Sequence, residues 1–231
     1  MALVVRRAID ELARAVLAMP LSRYAGQTER TDAADGSGPE IPGAKAIVKR
    51  AATAMADASG GVALKVRKNS ETEFKRLGIS LDDEPGVGDM IASWRKVNVE
   101  RVESLLEFER DELADILSKG ANKTVAELRE VISDRLEVST RKADLLARDQ
   151  VLKLNASITQ ARQLSAGITE YIWTTSRDER VRETHEELDG ETFSWDDPPV
   201  TNDAGDRNHP GEDYQCRCVP YPVLPELEEE D

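Results

Sequence analysis

Histidine and cysteine are almost missing from this sequence: there are two of each in 231 residues, all four between positions 185 and 218. Metal-binding, redox or nucleophilic chemistry that relies on them is thereby excluded from the rest of the chain. Aromatic residues are also scarce, at 4%, while charged residues reach 33%, a mixture that suits long solvated helices around thin cores. No run approaches the roughly twenty apolar residues of a bilayer-spanning helix. The opening Met1-Ala2-Leu3-Val4-Val5-Arg6-Arg7 leads into acidic, helix-like sequence rather than an apolar run and cleavage site, so export is not expected. Basic excess is missing too. The formal net charge is −14, and residues 176–231 hold 18 Asp or Glu against 5 Lys or Arg. That balance excludes a general coating of DNA, although a local basic stripe at Lys65, Arg67, Lys68, Lys75 and Arg76 stays open. Internal repeats are absent, and Gly86-Val87-Gly88 lacks the lysine and preceding strand of a phosphate loop.

What is present is mostly helical. Leu3, Ile9, Leu12, Val16 and Leu17 are spaced for one face of a helix over residues 1–19, closed by Pro20. That face predicts bundle core, with docking on a partner protein as the alternative. Residues 26–43 read as a linker, and another loop is expected around 82–88. Met90, Ile91, Trp94, Val97, Val102, Leu105, Leu106 and Leu113 predict a long helix ending near Gly120. Thr124 and Glu127 have capping-box spacing before Leu128, Val131, Ile132 and Leu136. A further helix is expected from Ser139 to a stop at Gly167. Strands are expected at 170–175, 192–195 and 214–221, with a short helix between Ser176 and Leu188. The expected fold class is mostly α: a helical N-terminal region with long helices, followed by a small C-terminal α+β domain. The corresponding segments are 1–25, 26–43, 44–146, 147–222 and an acidic tail at 223–231.

The four sulfur and imidazole side chains form the one chemically specific constellation. Cys216 and Cys218 stand at i and i+2, which on a strand puts both sulfurs on one face, within reach of one ion. Zinc prefers tetrahedral sulfur and nitrogen donors, so His185, His209, Cys216 and Cys218 would complete a closed structural site. The competing reading packs the cysteines as small apolar residues and hydrogen-bonds the histidines. So close a cysteine pair makes a poor disulfide, which fits a reduced, cytoplasmic assembly environment. His185-Glu186 does not begin a metalloprotease motif, because Asp189 stands where the second histidine is required. Arg177, Arg180, Arg182 and Arg217 could line an anion site, but among so many carboxylates ion pairing is the expectation.

The run Asp178-Glu179-Arg180-Val181-Arg182-Glu183-Thr184-His185-Glu186-Glu187-Leu188-Asp189-Gly190, followed by Pro210-Gly211 and Cys216-Arg217-Cys218, resembles the C-terminal domain of the phage head morphogenesis (Mu F-like) minor capsid family. The resemblance spans about Ala147 to Pro222; His209-Pro210 lies further upstream of Cys216-Arg217-Cys218 than in many relatives. It implies a non-enzymatic minor virion protein, acting in head assembly, packaging or genome release in the host cytoplasm and then in the virion. Its expected partners are the portal or the major capsid protein, with packaged DNA touched locally and neither a membrane nor a small-molecule substrate involved. A zinc-dependent or thiol enzyme and an internal DNA-binding protein are the alternatives.

Overall fold

The computed structural model describes residues 1–25, 39–79 and 86–224. The segments expected at 26–43, 82–88 and 223–231 therefore fall partly outside the described residues. Within those residues the order is α1 (Ala2–Leu17), α2 (Ala44–Arg76), α3 (Val87–Ser118), α4 (Val125–Ser165), β1 (Glu170–Thr174), α5 (Glu183–Glu186), β2 (Thr192–Ser194) and β3 (Val219–Pro222). The fold is thus mostly α with a small α+β end. It divides into two compact units: a helical unit of residues 1–60 and 95–147, and a tail unit of 61–94 and 148–231. Linear segmentation at 44–146 misses this, because α2 and α3 each supply residues to both units.

In the tail unit, Ala63 and Val66 of α2, Val87 of α3, and Leu154 and Ile158 of α4 form one core. Helix α4 stops at Gly167 as expected. Gly167 takes φ +74°, Ile168 N–H donates to the Gln163 carbonyl at 2.9 Å and Gly167 N–H to Leu164 at 3.0 Å, which satisfies the last carbonyls of the helix. The chain then enters β1, the middle of an antiparallel sheet ordered β2-β1-β3. Alternation turns Tyr171 and Trp173 inward, where they pack with Trp195, Cys216 and Cys218. Strand β3 is shorter than expected and begins only at Val219, so both cysteines precede it. Its register places Pro220 and Pro222 at the positions whose N–H would face away from β1, leaving that edge poor in donors for a further strand. Gln163 ties α4 to the sheet: its amide donates to the Pro220 carbonyl at 2.9 Å and accepts from Trp195 Nε1 at 3.1 Å.

In the helical unit, α1 buries Val5, Ala8, Ile9, Leu12, Ala13 and Val16 against residues of α2, α3 and α4, so its apolar face is core. Leu3, expected on that face, is exposed, being about 200° of helix rotation from Val5. Ile41, at the described end of the expected linker, joins the same core. Helix α4 opens on the expected capping box: Thr124 N–H donates to Glu127 Oε2 at 2.6 Å and Glu127 N–H to Thr124 Oγ1 at 3.2 Å. It then continues through Ser139, where a new helix was expected to start. The Ser139 hydroxyl lies 2.9 Å from its own Arg135 carbonyl and 2.5 Å from Glu109 Oε2, so it is satisfied inside α4 and caps nothing.

Glu109 is the buried charge of this unit. Its carboxylate accepts Arg135 Nε at 3.0 Å and Nη2 at 2.9 Å, a two-point pair across α3 and α4. Removing one partner of such a pair strands the other charge. Glu109→Ala should therefore lower stability by on the order of 3 kcal/mol, and Ser139→Ala by about 1 kcal/mol, in urea unfolding followed by far-ultraviolet circular dichroism. Equal midpoints for the wild type and Glu109→Ala would refute this account.

Candidate metal centre

The sequence between β1 and β3 has little regular structure and is held by side chains. After β1 the chain turns at Arg177, with φ 52°. Asp189 receives Thr175 N–H at 2.8 Å and Arg177 Nε at 3.1 Å, while Asp178 receives both terminal nitrogens of Arg217 at 2.5 and 2.6 Å. These contacts displace the helix expected from Ser176; only Glu183–Glu186 is helical. That single turn suffices to bury His185, which is 2% exposed.

Cys216 and Cys218 lie between a turn, closed by Cys216 N–H on the Asp213 carbonyl at 3.1 Å, and the start of β3. Gln215 just before them adopts φ 57°, in the left-handed region, and its N–H is held at 2.8 Å by Asp149 Oδ1 of α4. Asp149 is itself buried and anchored by Lys153 Nζ at 3.1 Å. Gly211 N–H donates to Cys216 Sγ at 3.4 Å. So the two sulfurs share a face even though they are not on a strand.

They meet at His185. Nδ1 lies 3.6 Å from Cys216 Sγ and 3.5 Å from Cys218 Sγ, while Nε2 lies 3.0 Å from Asp213 Oδ2. The three donor atoms fall within 4.8 Å of one another. Zn–S and Zn–N bonds of about 2.3 and 2.0–2.1 Å at a tetrahedral angle would hold sulfur and nitrogen about 3.5 Å apart. One imidazole lone pair can accept only one S–H, so two sulfurs equidistant from it fit a shared ion better than two hydrogen bonds. Asp213 supplies the usual outer support of a metal-bound histidine, accepting Nε2–H and leaving Nδ1 free to ligate. Asn208 Nδ2 in turn donates to Asp213 Oδ1 at 3.0 Å. The buried Trp173 indole N–H finds no conventional hydrogen-bond partner among the described residues, yet it favours the Cys218 thiolate, the form a metal would hold.

Electrostatics agree with an ion site. The Cys218 S–H lowers the pKa of Cys216 by hydrogen bonding to its thiolate, and giving up a second proton beside that thiolate raises Cys218. The Cys216 thiolate in turn raises His185. Binding of an ion by thiolates and a neutral imidazole would release the protons these groups hold.

His209 is not part of it. Its Nδ1 lies 2.8 Å from the Tyr171 hydroxyl, and the Trp195 ring is tilted at 57° to it with centroids 4.8 Å apart. Burial lowers the His209 pKa, and burial raises that of Tyr171, so both groups stay neutral and the phenol O–H donates a hydrogen bond to the imidazole. The fourth expected ligand is therefore a core residue, whereas Asp213 and Asp149 carry roles that spacing alone did not reveal. Gly211 is equally committed: it takes φ 90°, and a Cβ there would stand 2.7 Å from Ala156 Cβ. Gly211→Ala should destabilise the tail unit by roughly 2 kcal/mol or more. All three tryptophans lie in that unit, so an unchanged denaturation midpoint by tryptophan fluorescence would contradict the expectation.

Comparison with known proteins agrees with the resemblance read from the sequence. Residues 110–221 match the family described as "Phage Mu protein F like protein". An uncharacterized protein of Haemophilus influenzae (strain ATCC 51907 / DSM 11121 / KW20 / Rd) is 36% identical over 153 residues, which covers 64% of this chain and 32% of that protein. The chain thus spans about a third of that relative's length. No solved structure matches. The matched residues 110–221 include His185, Cys216 and Cys218, so the segment that carries the cluster is the one similar to the Phage Mu protein F like family.

Proposed function

We propose that this chain is a non-enzymatic minor head protein of a tailed phage, acting at the portal or the capsid interior during assembly, packaging or genome release. The family match over residues 110–221 carries the reading. Among the described residues no helix is long and apolar enough to cross a membrane. Lys65, Arg67, Lys68, Lys75 and Arg76 are exposed on α2, but Lys75 is already paired with Glu71 at 2.7 Å, which weakens the case for a DNA-binding stripe. In a phage lacking the gene, head yield should fall or heads should remain unfilled by electron microscopy. Purified wild-type heads should contain the protein in far fewer copies than the major capsid protein by quantitative mass spectrometry. Its absence from heads, with normal heads in the deletion, would sink the proposal.

Within this role His185, Cys216 and Cys218 hold a structural zinc ion that crosslinks α5 to the approach of β3. The line Cys216–His185–Asp213 also has the order of a thiol nucleophile, its base and an orienting carboxylate. A nucleophile has no use for a second sulfur on the same nitrogen, however, and both thiols are buried. Elemental mass spectrometry should find about one zinc per chain, lost in Cys216→Ser, Cys218→Ser and His185→Ala but kept in His209→Ala. Asp213→Asn should retain zinc with an affinity weaker by about 10–100-fold in competition with a chromophoric chelator. Protein without zinc whose Cys216 is alkylated rapidly would favour the thiol reading instead.

A further inference from the structure

A cavity of about 180 Å³ opens over the cluster, and its lining is unlike the rest of this acidic unit. Arg148, Arg180, Arg182 and Arg217 line it together with Ser176 and the three donor residues, and no carboxylate does. Two of these arginines are fixed in place. Arg182 Nη2 donates to the Tyr214 carbonyl at 2.5 Å, and Arg217 is held by Asp178. The side chains of Arg148 and Arg180 make no hydrogen bond or ion pair among the described residues, and both are exposed at the cavity mouth.

The chemistry of the floor decides what such a lining can attract. Two thiolates and a neutral imidazole cancel the charge of a zinc ion, and the nearby carboxylates, Asp178 paired with Arg217 and Asp213 behind His185, lie outside the lining, so the guanidinium groups are the charged side chains that face the cavity. Three protein donors leave a tetrahedral ion one ligand short. With His209 bound to Tyr171, the cavity offers no further sulfur, imidazole or carboxylate to complete it. The volume is below the roughly 300–1,000 Å³ of pockets that enclose whole small molecules, which points to a single small group. Guanidinium forks match tetrahedral oxyanions in two-point hydrogen bonds.

We infer that this cavity is an oxyanion site: a phosphate group enters over the metal, held by Arg148 and Arg180 and completing the coordination of the ion that His185, Cys216 and Cys218 bind. The inference rests on the zinc reading above. The phosphate could be free in solution or terminate a nucleic acid strand.

The test uses the full chain, with metal content measured first so that failure of the zinc reading is seen separately. Inorganic phosphate is titrated calorimetrically into the zinc-loaded protein, the chelator-stripped protein and a zinc-loaded Arg148→Gln/Arg180→Gln double variant. Cobalt-substituted protein is titrated in parallel. The expected result is saturable binding to the loaded protein, weakened about tenfold or more in the variant and lost on stripping, with a change in the cobalt visible spectrum. Tighter binding of a 5′-phosphorylated short oligonucleotide than of its unphosphorylated twin would identify a strand end as the source; equal behaviour of the two would identify free phosphate. A loaded protein that takes up no phosphate to about 10 mM overturns the inference, as does binding unchanged in the double variant or in stripped protein, or an unaltered cobalt spectrum. Failure to bind zinc removes its foundation.

Discussion

Two sulfurs and one imidazole nitrogen meet inside the tail unit, and a polar group taken from water has to be compensated where it lands. Much of the local structure follows from that demand. His185 is satisfied on one side by the sulfurs and on the other by Asp213, which is oriented by Asn208, whose amide also donates to Thr201 Oγ1 at 3.0 Å. The cysteines reach it because Asp149 fixes Gln215 in a left-handed turn and because Gly211 lets the loop pass within contact of Ala156. Helix α4 therefore serves the site twice, through Asp149 and, four turns further on, through Gln163, which holds the sheet. Aromatic residues concentrate in the same place: of the chain's ten, Tyr171, Trp173, Phe193 and Trp195 pack in the core that holds both cysteines.

Elements governed by local chemistry were legible in the sequence. The Thr124–Glu127 box, the Gly167 stop, the α1 stripe apart from Leu3, and strands β1 and β2 depend on residues a few positions apart, and they stand where expected. Elements governed by a distant partner were not. Ser139 looks like a helix start until Glu109, thirty positions away in sequence, is found to occupy its hydroxyl. Ser176 and Glu179 have capping-box spacing, but Asp178 and Asp189 are engaged by Arg217 and Arg177, and the chain bends there instead. The division into compact units was hidden for the same reason, since the contacts that define it join 61–94 to 148–231.

The two histidines show how little residue type reveals without its surroundings. Both are buried and both lie within one small unit. Beside His185 stand a carboxylate and two thiols, groups that favour a cation on or at the ring. Beside His209 stand a phenol and a tilted indole ring, and desolvation wins, keeping the imidazole neutral. The sequence places one histidine in an acidic helix and the other before a proline, and neither context distinguishes ligand from core residue.

Charge arrangement supplies the last constraint. The region from 176 onward carries 18 acidic side chains against 5 basic ones, yet the arginines around the cluster face a cavity with no acid in its lining. An acidic exterior repels a long polyanion over a screening length of about 8–10 Å at ordinary ionic strength. A small anion or a strand end meets that repulsion only briefly before entering the guanidinium cage, whereas a duplex lying along the surface meets it over its whole length. The same distribution that argues against DNA coating is thus compatible with a phosphate held at one point.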